Sequence, residues 1–180
     1  VCSSDLLTAA DIHTRYSLSY GNMSDTNGSW WASGAVSTTF VEGQTVTLPA
    51  ASAVSRSGYI FLGWYESEDF SGEAVSSFTA GSEGKTVYAR WATPDLYVAA
   101  GGSNANSGLS ATAPLATVAA ALEKLAAFAS EQGNGFDWTL HISGTISESD
   151  ILIMNLKAAS LTICGSSADS DCIDGESRAA

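Results

Sequence analysis

Charge is scarce in this chain of 180 residues. Asp, Glu, Lys and Arg make up 14% of it, against the ~25% usual for soluble domains, which excludes a charge-rich disordered segment. Basic residues are scarcer still: seven Lys and Arg face 19 Asp and Glu, for a net charge of −12. That excludes nucleic-acid partners, because phosphate recognition needs clustered cations, and it disfavours an anionic membrane surface. Long apolar runs are missing too. The nearest stretch, Leu115–Ala129, is broken by Glu123-Lys124 and falls short of the roughly 20 residues a membrane helix needs. Only 3 Pro, 3 Cys and 2 His occur, and no Cys/His set has zinc spacing. Hydroxyls take over the solubilising role, with 28 Ser and 15 Thr. Such a composition reads as a β-rich secreted or surface protein.

The opening residues, Val1-Cys2-Ser3-Ser4-Asp5-Leu6, back-translate to a sequence resembling the end of a sequencing-library adapter. Residues 1–13 are therefore set apart as artefact or linker, and Cys2 then carries no biology. Cys164 and Cys172 remain, separated by the turn-formers Gly165–Asp171. A disulfide between them is expected in an extracellular compartment; two unpaired thiols are the alternative. The last residues, Gly175–Ala180, stop without a closing element, as a fragment would.

From Thr14 to Trp91, short alternating runs are separated by Gly, Ser and Asn, which predicts strands and turns over Arg15–Tyr20, Val36–Val41, Thr45–Leu48, Tyr59–Tyr65 and Thr86–Trp91. Period two puts Ile60, Leu62 and Trp64 on one face of their strand, and Val87, Ala89 and Trp91 on one face of theirs. Tyr59, Phe61 and Tyr65 line the opposite face of the first of these, so both its sides are expected to be at least partly covered. Pro94 marks a boundary, since it interrupts strand pairing. Beyond it come a strand at Leu96–Ala99, a Gly/Ser/Asn loop from Gly101 to Ser110, and a helix over Leu115–Ala129 opened by Pro114. Leu115, Val118, Leu122 and Leu125 share one face of that helix, and Gly133 is its stop. Leu140 and Ile142 alternate with polar residues; so do Ile151 and Ile153, then Leu161 and Ile163. An apolar pair returning after about twenty residues is what a β-solenoid requires.

Little in the chain reads as chemistry. Asp169-Ser-Asp171-Cys-Ile-Asp174-Gly175-Glu176 fails the calcium-loop register, because Ile173 stands at the fifth position and Gly arrives at the seventh. No phosphate-cradling glycine motif and no nucleophile elbow occur. His141 lies between Leu140 and Ile142 and points outward, as a surface strand residue would. Glu66, Glu68, Asp69 and Glu73 form a solvated hairpin tip. No catalytic residue, metal site or cofactor is expected. Among the aromatic residues, Trp30 and Trp31 sit in a Gly/Ser-rich stretch where an exposed sugar-stacking platform would be; the others are more simply core.

Phe40-Val-Glu-Gly-Gln-Thr-Val-Thr-Leu-Pro49, then Ser57-Gly-Tyr-Ile-Phe-Leu-Gly-Trp-Tyr65, then Gly84-Lys-Thr-Val-Tyr-Ala-Arg-Trp91 together resemble the Listeria–Bacteroides repeat, also called the internalin B-repeat. The resemblance covers residues 14–92 and implies a small β-grasp-like sheet module of bacterial surface proteins, without catalytic residues. Asn22–Ser37 departs from the family in being longer and more polar. Residues 95–165, with Leu96-Tyr-Val-Ala-Ala-Gly-Gly-Ser-Asn-Ala-Asn-Ser-Gly108 followed by the Ala-rich helix, resemble the entry of right-handed parallel β-helix (pectin-lyase-like) proteins, where a helix caps the solenoid. That second family holds polysaccharide lyases and hydrolases as well as adhesins, so fold does not decide function.

The expected chain is mostly β: residues 14–92 a β-grasp-like repeat module, residues 93–180 the start of a truncated right-handed parallel β-helix with an N-terminal capping helix. One core is expected from Leu48, Ile60, Leu62, Trp64, Val87 and Trp91, and a second from Val98, Val118, Leu122, Leu125, Leu140, Ile142, Ile153, Leu161 and Ile163. The expected function is a non-catalytic spacer or adhesion module of an extracellular or bacterial cell-surface protein, meeting glycans or host and cell-surface proteins. The alternative is the non-catalytic front of a secreted polysaccharide lyase or glycoside hydrolase.

Overall fold

The computed structural model describes residues 13–25, 28–31, 36–133, 135–146, 158–165 and 172–175. Ile151, Ile153, the adapter-like start and the flanks of the acidic stretch from Asp169 lie outside the described residues. The chain is mostly β and divides into two units, one holding residues up to 54 together with 62–90, the other 55–61 together with 91 onward. Two expected strands thus straddle the division.

Among the described residues of the first part of the chain lie β1 (Arg15–Gly21), β2 (Ser24–Asp25), β3 (Gly28–Ser29), β4 (Thr39–Val41), β5 (Thr45–Thr47), β6 (Ile60–Tyr65), β7 (Ser77–Thr79) and β8 (Lys85–Ala92). The main sheet has the order β4-β1-β8-β6, with β1 antiparallel to β4 and parallel to β8. β5 and β7 form an antiparallel ribbon, and β2 with β3 a small hairpin. Alternation sets the inward residues. Val46 is buried between exposed Thr45 and Thr47, opposite buried Phe78; Val87 and Ala89 are fully buried in β8. Phe40 sits between Tyr16 at 6.0 Å and Phe78 at 5.6 Å, the latter edge to face.

Strand β6 is covered on both faces, as expected, with Leu62 the exception. Ile60, Phe61, Trp64 and Tyr65 are all buried, while Leu62 is only half-buried. Gly63 within this strand has a φ of +128°, where an L-residue would be strained. A Cβ there would lie 2.8 Å from the Cβ of Ala74, so the segment carrying Ala74 runs close alongside, and the Val75 amide donates to the Trp64 carbonyl at 2.8 Å. The Trp64 indole donates to the Pro49 carbonyl at 2.8 Å, satisfying a buried donor.

The second unit contains β9 (Asp95–Ala99), α1 (Val118–Gln132), β10 (Asp137–Ser143), β11 (Ser160–Gly165) and β12 (Cys172–Gly175). β9, β10 and β11 run parallel side by side, and β12 returns antiparallel to β11. Leu161 stands beside Trp138, and Ile163 beside Leu140, so the register is two residues out from the expected Leu140–Leu161 correspondence, on the same face. Leu96, Val98, Leu115, Leu125, Trp138, Leu140 and Leu161 form the buried interior, each large side chain contributing about 1.5–3 kcal/mol. Ile142, Ile163 and Leu122 are only half-buried. Trp138 was not in the expected core, yet it is 1% exposed; its indole N–H has no hydrogen-bond partner among the described residues.

The helix begins later than expected, and the cause is local. Leu115 is recruited as a strand neighbour of Val98: its amide donates to the Tyr97 carbonyl at 2.8 Å and its carbonyl accepts from Ala99 at 2.9 Å. Gly102 permits this, since a Cβ there would meet the Leu115 carbonyl oxygen at 2.1 Å. Thr117 is then the N-cap, its hydroxyl accepting from the Ala120 amide at 3.2 Å. Gly133 closes the helix at φ +92°. The helix buries Val118, Ala121, Leu125 and Ala129.

Residues 55–61 are held within this second unit by the last turn of α1. The Gln132 side-chain amide accepts from the Phe61 N–H at 2.7 Å and donates to the Phe61 carbonyl at 2.8 Å, as a neighbouring strand would. Trp91 packs edge-on against Phe61 at 5.3 Å.

Candidate functional site

Trp31 is half-buried in a three-ring cluster of the first unit. It stacks on Trp64 at 6.0 Å and meets the Tyr20 ring edge-on at 5.1 Å; Tyr20 in turn contacts Trp64 at 5.1 Å. A bridge to Val54 fixes the Trp31 backbone. Tyr20 donates to the Ser37 carbonyl at 3.0 Å, and burial pushes its phenol pKa up. Trp30 is half-buried as well, its amide closing the β2–β3 hairpin onto Met23 at 2.9 Å. A sugar ring would therefore find Trp31 with one face already against Trp64.

The loop from Ser67 to Gly72 is tied down by its own polar groups. Asp69 accepts from the Ser67 hydroxyl at 2.7 Å and from the Ser71 amide at 2.9 Å. These bonds, the Ser67 hydroxyl first, hold its carboxyl down to about 2. Glu66 pairs with Lys85 at 2.8 Å. Each of these contacts organises the turn itself.

The Asn-rich loop before α1 is likewise a fold device. Asn104 accepts from the Ala116 and Thr117 amides at 2.9 and 3.2 Å, and Asn106 donates to the Pro114 carbonyl at 2.8 Å. Its polar groups are spent on the chain leading into the helix.

A constellation that the sequence did not reveal lies on the outer face of β9 and β10. Parallel register puts Tyr97 beside His141 and Asp95 beside Thr139. The His141 and Tyr97 rings stack at 4.6 Å and 13°. The His141 Nε2 lies 3.0 Å from Asp95 Oδ1, and the Thr93 hydroxyl donates to Asp95 Oδ2. Tyr97, His141 and Ser143 line a cleft of about 200 Å³ at the carboxyl ends of β9, β10 and β11. Outward alternation was the signal available for His141; its neighbour Asp95 is 46 residues away in sequence. Cys164, also on this cleft, is disulfide-bonded, and its opposite number in the antiparallel register is Cys172. Among the described residues no three His, Cys, Asp or Glu gather as a metal site, and no helix is long and apolar enough to cross a membrane.

The parallel pairing of β1 with β8 and the glycine-bearing β6 fall within one recognisable stretch. Residues 16–90 match the family model of the Listeria-Bacteroides repeat domain. This repeat family is typical of extracellular and surface-associated proteins. No curated protein and no solved structure matches the chain. In the repeat stretch, the aromatic block Phe61, Trp64 and Tyr65 is buried and serves packing.

Proposed function

We propose that this chain is part of an extracellular or bacterial cell-surface protein, in which a β-grasp-like repeat acts as a non-catalytic spacer or adhesion module. The observation that carries this reading is the repeat match across residues 16–90. Two features support it: the motif residues are spent on packing, and the first and last long strands of the repeat pair in parallel at the centre of the sheet. The partners of such a module are glycans or proteins of a host or neighbouring cell surface. The net charge of −12 directs it away from anionic polymers. The stretch that follows, with three parallel strands stacked in register and a helix between the first two, fits the opening of a parallel β-solenoid.

Those parallel strands also keep a second reading in view, that the chain forms the non-catalytic front of a secreted polysaccharide lyase or hydrolase. Both readings require that this chain cleaves nothing itself. The test incubates the purified chain with a panel of soluble polysaccharides and immobilised glycans, following retention and the appearance of new chain ends. Retention without new ends is the expected result; release of new ends by the chain alone would overturn both readings.

A further inference from the structure

We propose that the cleft at the carboxyl ends of β9–β11 is a binding site for an uncharged, hydroxylated ring of monosaccharide size. It lies outside the repeat stretch and does not depend on the surface-module reading. The starting observation is the way His141 is held. Thr93 fixes Asp95, Asp95 fixes the His141 Nε2 at 3.0 Å, and Tyr97 fixes the plane of the ring from 4.6 Å. A half-exposed strand histidine on a polar sheet face needs none of this to be stable. An imidazole oriented through one nitrogen by a carboxylate is instead an imidazole prepared to offer the other. With Nε2 turned to Asp95, Nδ1 is the ring nitrogen left to a ligand hydroxyl.

The wall chemistry then narrows the ligand. His141, the Ser143 hydroxyl and the Tyr97 phenol supply acceptors and donors, while Val98, Pro114 and Ile142 supply apolar surface. Among the described residues no Lys or Arg lines the cleft, which favours an uncharged ligand over a carboxylate or phosphate. Among the described residues no Asp or Glu lines it either, and the Asp95 oxygens are engaged by His141 and Thr93. The volume of about 200 Å³ lies below the roughly 300–1,000 Å³ of drug-sized pockets, which sets the ligand at one small ring. A polyol ring, with hydroxyls toward His141 and Ser143 and C–H groups toward Pro114 and Ile142, satisfies every wall.

The test is an NMR titration of the full chain with methyl α-glucopyranoside, methyl β-galactopyranoside and myo-inositol, each to about 100 mM, a range that captures Kd values of a few mM. The expected result is saturable shifts at Tyr97, His141 and Ser143 with at least one probe, and at least tenfold weaker binding in His141→Ala. Ser143→Ala, at an exposed position that leaves the sheet intact, is expected to weaken the same probe and decides the matter if His141→Ala fails to fold. Absence of shifts at these three residues with all three probes would overturn the proposal. So would shifts that persist unchanged in Ser143→Ala together with a folded His141→Ala. Either failure leaves the repeat-based reading standing.

Discussion

Replacing Gly63 by Ala should be among the most damaging single-methyl changes in the first unit. Two costs add at this position. The backbone sits at φ +128°, a region L-residues rarely adopt, and such strain costs about 1–3 kcal/mol. The new methyl would also stand 2.8 Å from the Ala74 Cβ, an overpacking typically worth about 1–3 kcal/mol. Together they predict destabilisation of about 2–6 kcal/mol. Gly43→Ala is the control: its φ is +79° but nothing lies within 4 Å, so it should lose only the backbone part, about 1–2 kcal/mol. Ala74→Gly in the Gly63→Ala background removes the steric part and should recover about 1–3 kcal/mol as a coupling energy. The assay is urea unfolding of all five proteins, the Ala74→Gly single variant included, followed by tryptophan fluorescence. A Gly63→Ala protein within about 0.5 kcal/mol of the parent, or a double variant with no coupling, would refute the reasoning.

Gln132→Ala removes both hydrogen bonds to Phe61, worth about 1–3 kcal/mol together, and should speed tryptic cleavage after Arg56 and amide exchange at Phe61; unchanged rates would refute the role given to Gln132. Asp69, held at about 2 against an ordinary 3.8, contributes stability above its unfolded pKa and loses it as the pH falls through about 2. Carbon-13 titration should find its midpoint near 2, and Ser67→Ala should raise it; a wild-type midpoint at the ordinary value would contradict the turn's hydrogen bonding. If Cys164 is bridged to Cys172, denatured unreduced protein should expose only Cys2 of its 3 cysteines and peptide mapping should recover the linked pair, whose short loop is worth about 2–3 kcal/mol; three free thiols before reduction would exclude it.

What the sequence made legible follows from how local each cause is. β1, β8 and β9 could be read because alternation is a property of consecutive residues. The strands β2, β3 and β7 are two or three residues long, too short to carry a period. In β6 the period places Ile60 and Trp64 on one buried face and Phe61 and Tyr65 on the other, while Leu62 is only half-buried. The helix start was misread for a different reason. Pro114 in front of an apolar run is a sound helix signal, but Leu115 gains more by pairing with β9, and the helix waits for the Thr117 cap. Trp138, an isolated aromatic, carries no core signal in the sequence, yet it is buried against Phe128 of α1. The Asp95–His141–Tyr97 arrangement is invisible in sequence, since it exists only once β9 and β10 align in parallel. Trp30 and Trp31 sat in a stretch whose polar composition suggested exposure, whereas the Tyr20 and Trp64 rings partly bury Trp31.

The central claim, that this chain works outside the cell as a surface module, is tested most directly by epitope accessibility. An antibody raised against the exposed tip carrying Glu68, Asp69 and Glu73 would be applied to intact cells that carry the gene, with and without permeabilisation, and to their culture medium. The account predicts signal on intact cells or in the medium, abolished on intact cells by added protease. Signal that appears only after permeabilisation would contradict it.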